Sequence, residues 1–263
     1  HTRSLCDWSS DVCSSDLDGV TFSAAETVGI LSVVAVASFV SRLSGFGFGL
    51  IVVPVMSLFI GPRDAVVIST LVGLCATMVQ SWQEREHARS DLVRRLFGAA
   101  CVGMPLGLAV FVFVPERGLR VMLGVAVVAA ATVLARGFEI NRASRNTEIA
   151  LGFVSGVLNT SVSTNGPPLV FLLHAKRLAP GEFRGTISRV FFYSNVVSAA
   201  LFAAAGKVNG PSLVMSVVAL PVMYTMQWVG ARSTARVGPE RFRVLVLGLL
   251  FLSGVSAVAS ALA

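Results

Sequence analysis

No aspartate or glutamate lies deep within an apolar run of this 263-residue sequence. That absence argues against a carboxylate proton relay or a bare-cation site in the hydrophobic interior, where ionisable residues mark such pathways. Histidine is equally sparse. His1, His87 and His174 are the only three, and none sits inside an apolar run, so a histidine metal site there is not expected. No HExxH, CxxC or nucleophile elbow occurs, and no Gly-rich loop ends in Lys-Ser/Thr, so neither hydrolytic chemistry nor ATP binding is signalled. Nothing calls for a cofactor, and the protein is expected not to be an enzyme. Four cysteines make no disulfide framework, and Cys75 and Cys101, inside apolar runs, read as small core residues. Charged residues make up only 13% of the chain, against about one quarter in a soluble domain.

What is present is hydrophobic sequence, 54% of the total, in runs that repeat from about Thr27 almost to Ala263 between short charged or Gly/Pro-containing loops. The pattern predicts an all-α, polytopic helical membrane protein whose surroundings are the lipid bilayer. A formal charge of +7 could suggest nucleic acid, but basic loops of a membrane protein account for it, and no nucleic-acid partner is expected. Residues 1–17, HTRSLCDWSSDVCSSDL, have no helical period and a composition foreign to the rest. They resemble the conceptual translation of a sequencing adapter; the alternative is an extramembranous tail.

The expected organisation is a tail at residues 1–23, a first repeat at 24–136, a cytoplasmic linker at 137–147 and a second repeat at 148–263. Apolar segments fall at about 24–40, 46–60, 64–82, 96–114 and 115–135. They are followed by a broken pair within 151–173, then 182–205, 212–230 and 239–263. Asp64 is a candidate N-cap for the third helix; Gly98, Gly103 and Gly107 suit close helix contact in the fourth. Pro115-Glu116-Arg117 leading to Leu123-Gly124 is echoed by Pro239-Glu240-Arg241 leading to Leu247-Gly248, five matches in ten positions. Five segments per half, an odd number, would make the repeats inverted in the membrane. If all ten segments change sides, one set of loops holds sixteen Lys and Arg, and the other holds only Arg63, Arg117, Arg120 and Lys207. The first set is therefore expected in the cytoplasm and both termini outside.

The stretch at 151–173, LGFVSGVLNTSVSTNGPPLVFLL, is apolar at both ends and uncharged throughout. Neither arm reaches the roughly 20 residues of a full span, and Pro167-Pro168 should break the helix. Two half-helices meeting at a polar loop fit, and transporters bind substrates at such breaks. The alternative is a plain aqueous loop between two helices. A second break is signalled at Gly45-Phe46-Gly47-Phe48-Gly49. Short helices starting near Gly47 and Gly166 would point free N–H groups and positive dipole ends at an anion. Ser44, Ser161, Ser163, Thr164 and Asn165 would add uncharged donors, with Pro167 and Pro168 in a first helical turn. Arg42 and Arg189 are candidate anion-attracting residues, or else snorkel to the interface. Gln80, Asn195 and Gln227 read as interhelical glue.

At Gly45 through Pro54, and again at Ser155-Gly156 through Asn165-Gly166-Pro167-Pro168-Leu169, the sequence resembles the TauE/SafE family of membrane transporters. The resemblance implies a permease, usually an exporter in the bacterial inner membrane, for sulfite or other sulfur-containing anions. It implies a translocation site at Ser44, Gly45, Gly47, Gly49 and Pro54 together with Ser161 through Pro168. The glycine triplet is Gly-Phe-Gly in the first half and Asn-Gly-Pro in the second, which leaves the particular anion open, as is the oligomeric state. The alternative is a non-transporting membrane subunit or assembly factor, for which the polar residues of the breaks would be dispensable.

Overall fold

The computed structural model describes residues 22–136 and 144–233. The tail at 1–21, most of the linker and the segment at 239–263, with its echo of residues 115–124, lie outside the described residues. Those described form helices and no strands: α1 Ala24–Ser44, α2 Phe48–Met56, α3 Pro62–Gln83, α4 Ser90–Phe113, α5 Glu116–Arg136, α6 Arg145–Val162, α7 Gly166–Ala175, α8 Pro180–Ala204 and α9 Gly210–Ser233, with a 3-10 turn at Arg85–His87. The all-α expectation holds. Among them α1, α3, α4, α8 and α9 are long and apolar enough to cross a membrane.

Local chemistry sets the boundaries. Ser23 and Glu26 cap α1 reciprocally, the Ser23 hydroxyl accepting from the Glu26 amide and the Glu26 carboxylate from the Ser23 amide. Ser144 accepts from the Thr147 amide, so α6 starts at Arg145, inside the expected linker. Pro62 and Pro180 open α3 and α8. Asp64 is not an N-cap: Gly61 takes that position, and the Asp64 carboxylate instead accepts from Asn209 Nδ2 (2.8 Å) and Ser212 Oγ (2.9 Å) at the start of α9. The fourth helix begins at Ser90, six residues before its apolar run, because Asp91, Arg94 and Arg95 extend it as a charged turn. Cys75 and Cys101 are half-buried, and Cys75 packs against the hydrophobic core.

The surface is apolar and the interior carries the polarity. Phe113 is 83% exposed and Val102 70%, whereas Thr160, Ser161, Thr186 and Ser198 are 0% exposed. A lipid surround favours that arrangement, since polar groups can be satisfied only inside the protein. Trp82 and Trp228 stay exposed near the ends of α3 and α9, with the guanidiniums of Arg85 and Arg232 4.7 and 3.3 Å from their ring centres. Amphipathic rings settle at a headgroup boundary in this way.

Packing partners recur in the two halves. Helix α4 lies along α6 and α9 along α1; α4 meets α8 and α9 meets α3; α3 packs on α8. Exchanging α1 with α6, α2 with α7, α3 with α8 and α4 with α9 leaves these pairings unchanged. The α4–α6 seam is the tightest, because Gly103 and Gly107 of α4 and Gly152 and Gly156 of α6 each let the opposite helix approach closely. A Cβ on Gly103 would strike the Phe153 carbonyl oxygen, and one on Gly156 that of Ala100. Thr160 Oγ1 crosses the seam to donate to the Met104 carbonyl (2.7 Å). Gly98 does not take part, having nothing within 4 Å. At one end of the seam the buried Glu148 carboxylate joins α4, α6 and α7 by ion pairs to Arg95 Nε (2.9 Å) and Lys176 Nζ.

Gly103→Ala or Gly156→Ala should overpack the seam and cost about 1–3 kcal/mol, read as a lower unfolding midpoint in detergent. Gly98→Ala should leave the midpoint unchanged or higher. Equal midpoints for all three would contradict the seam.

Candidate functional site

Both interruptions exist, and they are built alike. Helix α1 ends at Gly45 in the left-handed region (φ 80), one residue follows, and Gly47 (φ 94) caps α2. Helix α6 ends at Ser163, also left-handed (φ 53), one residue follows, and Asn165 caps α7. The structure therefore aligns Gly45-Phe46-Gly47 with Ser163-Thr164-Asn165. Ser44 secures the first turn: its hydroxyl donates to the Phe46 carbonyl (2.6 Å) and accepts from the Phe46 amide (3.3 Å). The second is secured by Ser155 Oγ, donating to the Asn165 carbonyl (3.1 Å), and by Ser163 Oγ, which meets Thr70 Oγ1 (3.3 Å) and Ser69 Oγ (3.4 Å) of α3.

The two breaks touch. Gly49, in the first turn of α2, lies so close to Ser163 that a Cβ there would collide with its carbonyl oxygen. Where they meet, a cavity of about 30 Å³ opens, room for two waters or so at about 10–15 Å³ each. The first break lines it with Phe46, Gly47, Phe48, Gly49 and Leu50, the second with Ser163, Thr164, Asn165 and Gly166. Helix α3 adds Ser69, Gly73, Thr77 and Gln80, α8 adds Phe191 and Asn195, and α1 adds Ser41. None of these residues carries a formal charge.

Of the residues expected at the site, Gly47, Gly49, Ser163, Thr164, Asn165 and Gly166 line the cavity. The others do not. Ser44 and Gly45 shape the turn, and Pro54 is buried inside α2. The Ser161 hydroxyl donates within α6 to the Val157 carbonyl (2.7 Å). Pro167 and Pro168 are buried in the first turn of α7, where they remove amides that would otherwise be free. Arg42 ends α1 with its stem against Gly230, and Arg189 is a half-buried residue of α8. Gln80 and Asn195 are cavity residues, although Asn195 Nδ2 also donates across to Thr77 Oγ1 (3.4 Å), the bridging contact its sequence position suggests. The contribution of α3 was missed, yet its signal is visible: Ser69, Gly73, Thr77 and Gln80 recur every three or four residues along one helical face.

Three buried lining groups have no hydrogen-bond partner among the described residues: Gln80 Nε2, Thr164 Oγ1 and Asn165 Nδ2. Each costs about 1–3 kcal/mol while unsatisfied. The first-turn amides of α2 add donors that a helix cannot satisfy internally, and its dipole favours negative charge there. An uncharged, donor-rich hollow suits a small acceptor that has shed part of its water.

Fold and site together define a polytopic membrane protein built around a polar cavity between two interrupted helices. Residues 30–257 match the sulfite exporter TauE/SafE family, and the chain belongs to it. It is similar to the "Probable sulfite/organosulfonate exporter TauE" of Cupriavidus necator, 24% identical over 238 residues, which cover 87% of this chain and 92% of that relative. No solved structure matches it significantly.

Thr164→Val keeps the shape of the side chain while deleting an unsatisfied hydroxyl. With no anion present, its unfolding midpoint should equal or exceed that of the parent. A clear fall would mean that the hydroxyl has a partner at rest.

Proposed function

We propose that this chain is a secondary exporter that carries a small sulfur-containing oxyanion, sulfite or an organosulfonate, through the cavity between the two breaks by alternating access. The observation that carries the reading is the trio of orphaned groups on Gln80, Thr164 and Asn165, beside the amide end of α2, in a hollow with no carboxylate to repel an anion. Family membership and the relative's name support the substrate class. Neutral donors hold an oxyanion without the depth of a full ion pair, so it can leave again. Inverted repeats are part of the proposal. The interchangeable packing partners of the two halves support them, because a pseudo-twofold axis in the membrane plane gives a central site two equivalent routes. The basic loops, with Trp82 and Trp228 at the same ends, support a cytoplasmic location for that side, in a bacterial inner membrane with both termini outside.

Purified protein in liposomes, tested with sulfite, thiosulfate, sulfonates and carboxylates with and without a proton gradient, should move the sulfur oxyanions preferentially. Asn165→Leu and Gln80→Leu should each cut flux at least about tenfold, the loss of one charge-assisted hydrogen bond worth about 1.5–3 kcal/mol, at normal abundance in the membrane. Undiminished flux from both variants would refute the cavity as the route.

A further inference from the structure

Within about two turns of the cavity lining, at the end where the basic residues gather, lie three charged residues, Glu84, Arg184 and Arg42. Gln80 lines the cavity, and Glu84 follows it four residues on, at the C-terminus of α3. Phe191 lines it, and Arg184 sits two turns earlier on the same face of α8. Arg42 follows Ser41, which lines it from α1. The stem of Arg184 lies against the first break, its Cγ 3.1 Å from where a Cβ on Gly45 would stand. Its Nε is buried, has no hydrogen-bond partner among the described residues, and is 3.6 Å from Glu84 Oε1. That spacing is longer than the roughly 2.7–2.9 Å of a strong charge-assisted hydrogen bond. Arg42 adds a second positive charge at the end of α1. Glu84 pairs only with Arg184 among the described residues, so Arg184 and Arg42 against one carboxylate leave net positive charge beside a hollow that has none.

We propose that Arg184, supported by Arg42 and restrained by Glu84, is the residue that captures the anion and passes it to the cavity. The proposal rests on the transport reading above and adds to it the point of access and the chemistry selected there. An uncharged cavity can hold an anion at contact but cannot draw one from a distance; a net charge at its mouth can. The loose pair with Glu84 leaves the Arg184 fork available for exchange, so an arriving guest competes for the guanidinium and Glu84 takes it back as the guest moves inward. A planar fork of N–H groups selects guests that offer two oxygens side by side, as sulfite and sulfonates do, over single-atom anions such as halides. Neither Arg184 nor Arg189 lines the cavity itself; Arg184 is set apart by the contact of its stem with Gly45 in the first break.

The test is sulfite flux against concentration in proteoliposomes of the full chain, at about 20 mM and about 500 mM background salt, a range over which screening lengths shrink severalfold. Arg184→Gln should raise KM about tenfold at low salt with kcat within about twofold, and the difference should shrink at high salt. Arg184→Lys should fall between the two. Glu84→Gln removes the competing carboxylate and should lower KM below that of the parent; it carries the test alone if Arg184→Gln does not reach the membrane. Unchanged KM in Arg184→Gln, loss of kcat at constant KM, or a KM in Glu84→Gln that is not lowered overturns the capture role while leaving transport intact. A parent protein that moves no anion overturns the transport reading and this inference with it.

Discussion

A helix that stops inside hydrocarbon frees backbone groups that no solvent can satisfy. This protein stops two helices in its buried interior, and what makes both stops tolerable is that each leans on the other. The contact between Gly49 and the Ser163 carbonyl brings the second break within reach of the α3 hydroxyls. Ser155, Ser69 and Thr70 then hold it. A side chain at position 49 would push the breaks apart, and the cavity would lose its floor. Ser44 and Ser155 satisfy backbone groups of the breaks, whereas Gln80, Thr164 and Asn165 leave donors or hydroxyls unpaired among the described residues, so the hollow is more polar than the backbone alone requires.

The two breaks have the same length but different chemistry. In the first, Gly45-Phe46-Gly47 contributes main chain and an aromatic wall, and the free amides of α2 follow directly. In the second, Ser163-Thr164-Asn165 contributes side-chain hydroxyl and amide groups, and the prolines after it remove the amides that α7 would otherwise present. One side of the cavity therefore speaks through backbone and the other through side chains.

The helical, membrane-embedded class was legible in the sequence because hydrophobic runs and an absence of internal charge leave few alternatives. The breaks were legible too, since Gly-Phe-Gly and Pro-Pro interrupt runs too short to span. Boundaries slipped where charged residues extended a helix, as at Ser90, or where proline displaced the expected cap, as at Asp64. Within the site, local spacing found the residues on the breaks themselves. It passed over Ser69 and Thr77 and took Gln80 for interhelical glue because they lie on a neighbouring helix, and only the packing of α3 against α2 and α8 brings them in. Arg184 was hidden for the same reason: its importance comes from standing beside Gly45, 139 positions away in the chain.

The unequal breaks carry a lesson for how such a protein could diverge. Main-chain N–H groups are common to every residue except proline, so the amide donors at Gly47 to Leu50 survive most point substitutions, while the side chains of Phe46, Phe48 and Leu50 set only the shape of that wall. Heritable changes of guest preference are therefore channelled into the few side chains of positions 163–165 and the polar stripe of α3. The donors of one face are held constant by geometry, and those of the other are free to vary.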